Sequence, residues 1–169
     1  MSLAIQKCQW SSFLLRSNYR EGMNLDPLAD SGIDLTTLLL CDFANIREGM
    51  LNIISGGITR IGVTNGFPTG IDATVAMSVY VHPHRVGQVH SGRLIMRYPD
   101  TIEEIARIEF QFEGDAELNP GEGLNFHFAL PLQTIAAPRP GQIDISVTID
   151  DSPAGLVSFW MQDAPMVGN

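Results

Sequence analysis

Four histidines are the residues most able to do chemistry in this chain. His82, His84 and His90 fall within nine residues, and His127 lies further on. Three imidazoles can hold Zn²⁺ and leave a fourth position open for a reactive water. The spacing argues against such a site. Pro83 places the first two rings in a turn, and the sequence puts no nearby carboxylate where it would orient a ligating ring. The expectation is three loop histidines without a metal. Nucleophiles fare no better. Cys41 stands in an apolar run and reads as a small buried side chain. Cys8 is the only other cysteine, and a bond between them needs an oxidising compartment that nothing else in the chain suggests. Ser55-Gly56-Gly57 lacks the Gly-x-Ser-x-Gly spacing of a nucleophile elbow. Its glycine pair reads instead as a bulge or a close strand crossing. The carboxylate pairs Glu103-Glu104 and Asp150-Asp151 are sequence neighbours on exposed segments. They do not share the desolvated pocket that would split acid from base. Gly121-Glu122-Gly123 lacks the helix that a phosphate-binding loop requires. Trp160, beside Phe159, reads as a sheet contact rather than a sugar platform. No catalytic, cofactor-binding or metal-ligating residue is assigned, and the chain is read as a non-enzyme.

The elements that position these residues are strands. Ile71, Ala73, Val75, Met77, Val79 and Val81 alternate with Asp72, Thr74, Ala76, Ser78, Tyr80 and His82. That period of two is what a half-buried strand needs, because successive side chains point to opposite faces. It predicts one strand over 71–81, with Thr74, Ser78 and Tyr80 on the exposed side. Ala106, Ile108, Phe110 and Phe112 repeat the pattern, as do Leu124, Phe126, Phe128 and Leu130, and then Ile143, Ile145, Val147 and Ile149. Leu94, Met96 and Tyr98 form a weaker case, and residues 155–161 a last one. Arg47-Glu48-Gly49, Asn65-Gly66, Asn119-Pro120-Gly121 and residues 151–155 are turn chemistry between them. The pattern predicts an all-β fold, an antiparallel β-sandwich of about eight or nine strands with stacked apolar faces.

Residues 1–34 differ in character and are read as an N-terminal extension or arm, with 35–169 as the β-sandwich domain. A short helix is expected over residues 11–20, capped by Ser11 or Ser12. The arm carries Trp10, Phe13, Leu14, Leu15 and Tyr19, an apolar load that needs a surface to cover. Length fits one sandwich: 169 residues are enough for one substantial core. No apolar run reaches the roughly 20 residues of a membrane span. Residues 8–15 are broken by Gln9, Ser11 and Ser12, so they do not make a secretion signal.

Charge narrows the partners. The net charge is −9, and residues 100–169 hold 12 acidic side chains against Arg107 and Arg139, a local −10. Residues 1–99 hold 7 acidic and 8 basic side chains, a local +1. An acidic surface repels a phosphate backbone, so nucleic acid is not an expected partner, and neither is a membrane.

Residues 38–60, LLLCDFANIREGMLNIISGGITR, form two apolar runs joined at Arg47-Glu48-Gly49 and read as the first hairpin. This stretch resembles the N-terminal signature of a bacterial and phage-associated all-β family of unknown function. Pro140-Gly141-Gln142 and the strand that follows to Asp151 resemble the family's late strand. The resemblance covers roughly residues 36–162. It implies an all-β domain and carries over no catalytic residues; residues 1–34 lie outside it. The expectation from pattern and resemblance together is a cytoplasmic, non-enzymatic interaction or assembly protein that binds a protein partner or itself. A virion or phage-like particle component made in the cytoplasm is one alternative, and a small-ligand or carbohydrate-binding module is another. A metal enzyme built on the three histidines comes last.

Overall fold

The computed structural model describes residues 32–114 and 119–164. The helix expected over 11–20, Trp10 and Cys8 lie outside the described residues. Twelve strands follow in chain order. They are β1 (Ile33–Cys41), β2 (Phe43–Arg47), β3 (Met50–Ile54), β4 (Arg60–Val63), β5 (Thr69–Gly70), β6 (Thr74–Val81), β7 (His90–Arg97), β8 (Glu104–Phe112), β9 (Leu124–Pro131), β10 (Ala136–Ala137), β11 (Gly141–Ile149) and β12 (Ser152–Asp163). A single 3₁₀ turn, Pro83–Arg85, joins β6 towards β7. The fold is all-β, as the alternation requires. Twelve strands exceed the eight or nine expected because β5 and β10 are two-residue bridges, the first apolar run divides at Asp42 into β1 and β2, and Arg60–Val63 adds a short strand.

Two sheets stack their apolar faces. The smaller has the order β1-β6-β9 and the larger β4-β12-β11-β7-β8. Pairing is antiparallel except for β4 on β12, which is parallel. That parallel edge was not expected from an alternation that does not encode strand direction. Between the sheets lie Leu40, Val75, Met77 and Val79 from the smaller, and Leu94, Met96, Ile143, Ile145 and Phe159 from the larger, all fully buried. Phe110, Phe112, Phe126 and Phe128 close one side as an aromatic cluster, with Phe110 and Phe128 ring centroids 4.7 Å apart across the sandwich. The inward residues of β11 and β7 are those that the alternation named. β1 begins at Ile33, two residues inside the stretch read as extension.

The β2–β3 hairpin changes the picture of the smaller sheet. Glu48 and Gly49 both take positive φ, 53° and 73°, the two-residue turn whose twist matches a hairpin. The hairpin packs over the outer side of β1, β6 and β9. Ala44, Leu51 and Ile53 meet Leu39, Cys41, Ala76 and Ala129 in a second apolar layer. Small side chains at 41, 44, 76 and 129 let the layers approach. The expected exposure of Thr74 and Ser78 is therefore wrong: they are 4% and 6% exposed, and Tyr80 is half-buried. Strand β6 also starts at Thr74 rather than Ile71. Gly56 and Gly57 follow β3, and the N–H groups of Gly57 and Ile58 both donate to the Leu40 carbonyl. The pair lets the chain cross close to β1, since a side chain at Gly56 would press on Ile53 and Leu39.

Candidate functional site

The histidines do not converge. His82 Nε2 lies 2.9 Å from Asp34 Oδ2 on β1, beside the Tyr80 ring. The His84 ring is 6.1 Å from that of His82, centroid to centroid. His90 faces elsewhere, into the β11–β12 turn. Among the described residues no three of His, Cys, Asp and Glu are close enough to hold a metal ion.

Two carboxylates that sequence spacing did not reveal serve these rings. Asp34 is 48 positions from His82, and Asp150 is 60 positions from His90. Only the pairing of strands brings them together. Asp150 sits in a two-residue turn with Asp151, both at positive φ. Its Oδ2 accepts from His90 Nδ1 at 2.8 Å and from an Arg85 N–H at 2.9 Å, and its Oδ1 accepts the Ser91 N–H at 2.9 Å. Burial pushes the Asp150 carboxyl up. The Ser91 N–H, the His90 hydrogen bond and the His90 and Arg85 charges outweigh that and hold it below the usual carboxylate range. His90 is 1% exposed, and its Nε2 lies 3.2 Å from the Arg85 carbonyl. The cluster is a knot that ties the 3₁₀ turn to the β11–β12 turn, and a depression of about 480 Å³ opens beside its Arg85 and Asp150, with Asp34 and Ser152 also in the lining.

The remaining chemical groups are also spoken for. Ser78 Oγ and His127 Nδ1 are 2.8 Å apart, as cross-strand neighbours of β6 and β9. No carboxylate is bonded to that imidazole among the described residues, so the pair lacks the third member that orients a base. Burial and the neighbouring Asp42 charge push the Cys41 thiol up, which disfavours the reactive thiolate. Its Sγ lies 3.4 Å from the Thr74 carbonyl. Arg139 stacks on the Tyr98 ring at 3.9 Å and grips both Asp100 oxygens, while the Tyr98 hydroxyl donates to the Arg139 carbonyl. That clamp pins the β7–β8 turn to the approach to β11.

One depression of about 400 Å³ lies on the outer face of the larger sheet, lined by Ser91, Arg93, Glu109, Gln111, Thr148 and Asp151, with Gly92 and Phe110. Arg93 is already paired there with Glu109 at 3.3 Å and with Asp151 at 3.7 Å. Trp160 is half-exposed on β12 and does not line it; Phe110 is the aromatic residue of the lining.

What the fold does present is an apolar surface on the first hairpin. Phe43 and Ile54 are cross-strand neighbours at 52% and 59% exposure; Met50 is 60% and Ile46 49% exposed. Four of the eight large hydrophobic side chains exposed among the described residues thus sit on one twelve-residue hairpin. Isolated exposed apolar residues need no explanation; a concentration of them does.

A family model, described as a family of unknown function (DUF6941), matches residues 36–161. The chain belongs to this family. The match takes in most of β1 and β12, all strands between them, the first hairpin and the Asp150 knot, so the DUF6941 unit is the sandwich with its hairpin. That the stretch 38–60 resembles a family of unknown function is in keeping with this match. No protein of curated function matches the chain.

Proposed function

We propose that this DUF6941 protein works by binding another protein, not by catalysis, and that the outward side of the β2–β3 hairpin is the contact surface. One observation carries the reading: among the described residues, Phe43, Met50 and Ile54 are exposed on a hairpin whose other face packs on the sheet. A hairpin needs one apolar face to anchor to the sheet. Apolar side chains on its second face add nothing to that anchor, and they fit the desolvated centre of a protein interface.

The Asp150 cluster supports the same reading, since its carboxylate, His90 and Arg85 are engaged with one another in holding two turns together. The net charge of −9 points to protein rather than nucleic acid as partner. A cytoplasmic protein of this kind could serve a phage-like particle, in which case the partner repeats. The test is capture of a partner by the wild-type chain and by an Ile54→Glu variant of equal thermal midpoint. Selective loss in the variant supports the proposal. Identical capture by both chains counts against it.

A further inference from the structure

We infer that residues 1–20 dock on the outward side of their own chain's β2–β3 hairpin and compete with the protein partner for Phe43, Met50 and Ile54. The inference rests on the reading of that surface as a contact site and adds its regulation. Three observations lead to it. The segment carries Trp10, Phe13, Leu14, Leu15 and Tyr19, an apolar set suited to an apolar patch. It also carries Lys7, Arg16 and Arg20 with no acidic residue, whereas residues 32–169 hold 16 acidic and 7 basic side chains, a net −9.

Among the described residues two surfaces with exposed apolar side chains compete for it, and charge separates them. The outer face of the larger sheet has Trp160 and Leu156, with Arg60, Arg93, Arg97 and Arg107 balanced by Glu104, Glu109, Asp144 and Asp151. The hairpin has Arg47 against Asp42 and Glu48. Three cations on the segment are therefore favoured at the hairpin, which is net negative, over the sheet, whose charges balance. Exposed charges act over about 8 Å at physiological salt, so this local balance matters more than the total.

Reach allows it. The ten residue steps from Ile33 to Phe43 can separate those residues by at most ~36 Å, and residues 21–32 span up to ~40 Å when extended. A segment tethered at this length acts at an effective concentration on the order of millimolar. A second copy would have to reach that concentration to displace it.

The experiment uses the full chain with Trp160→Phe, which leaves Trp10 as the only tryptophan. Acrylamide quenching and the emission maximum then report on residue 10. The expected result is several-fold weaker quenching and a blue-shifted maximum, both lost when Ile54→Glu or, separately, Met50→Glu is added. Both positions are more than half exposed, and an unchanged thermal midpoint verifies folding. The protection should persist on dilution to nanomolar chain. Equal quenching with and without the glutamates overturns the inference, and so does protection that fades on dilution, which would put the segment on a second copy. Partner capture is read separately: its insensitivity to Ile54→Glu would sink the contact-surface proposal while leaving the Trp10 result standing.

Discussion

Asp150 satisfies three donors from a turn position that strains most side chains. Its φ of 48° is in the left-handed region, which Asp tolerates better than bulky residues. Replacing it by Asn keeps the shape and removes the charge held between His90 and Arg85. We expect Asp150→Asn to lower stability at pH 7 by about 1–3 kcal/mol, the range for a charge-assisted hydrogen-bond set. The folded carboxyl titrates below its ordinary range, so the folded state binds fewer protons than the unfolded chain in acid. Its contribution is whole above about pH 4 and disappears as pH falls through the lower folded value. The gap between urea melts of the two chains should therefore hold from pH 7 to about pH 4 and narrow as pH falls further. A gap that is constant with pH would show that the charge does not act as described. Phe112 is the most buried ring of the aromatic cluster. Phe112→Ala should cost about 3–5 kcal/mol, and Phe110→Ala less, since that ring is only partly buried; thermal melts of the pair give the order. Phe110 and Phe112 lay on an apolar face that the alternation named, but the Asp150 contacts were not legible beforehand. His90 and Asp150 are distant in sequence, and the fact that a carboxylate lies beside a ring comes from strand order, which single-strand periodicity does not contain.

The strands themselves were legible wherever one face meets the core and the other meets water. Ile143, Ile145, Val147 and Ile149 alternate with polar residues and are buried. β6 shows where that logic stops. Its second face is covered by the hairpin, and Ala76, Ser78 and Thr74 are small enough to be hidden without looking hydrophobic. The clue in sequence was Ala76 itself, a small residue on the face read as polar. The hairpin depends on close approach at Ala44 and Ala76. Ala76→Leu should overpack this layer and cost about 1–3 kcal/mol, with the β2–β3 amides losing protection in hydrogen exchange before those of β11. Uniform loss of protection across both sheets would mean that the hairpin is not a separate layer. Gly49 should be similarly sensitive, because a β-branched residue at its φ of 73° is strained; Gly49→Val should weaken the same amides.

At the scale of the whole molecule, the two-sheet core, the turn knots and the Tyr98–Arg139 clamp make a rigid support. The hairpin is the element that carries apolar side chains on both of its sides. Contact, rather than turnover, is proposed from the exposed Phe43, Met50 and Ile54, with Asp34, Ser78 and Asp150 bonded to His82, His127 and His90. The measurement that tests this most directly is affinity capture from the native host with the full chain as bait, wild type against Phe43→Ser/Ile54→Glu, after both show the same thermal midpoint. The account predicts a discrete partner retained by the wild type and absent from the double variant. The same partner bound equally by both chains would contradict it.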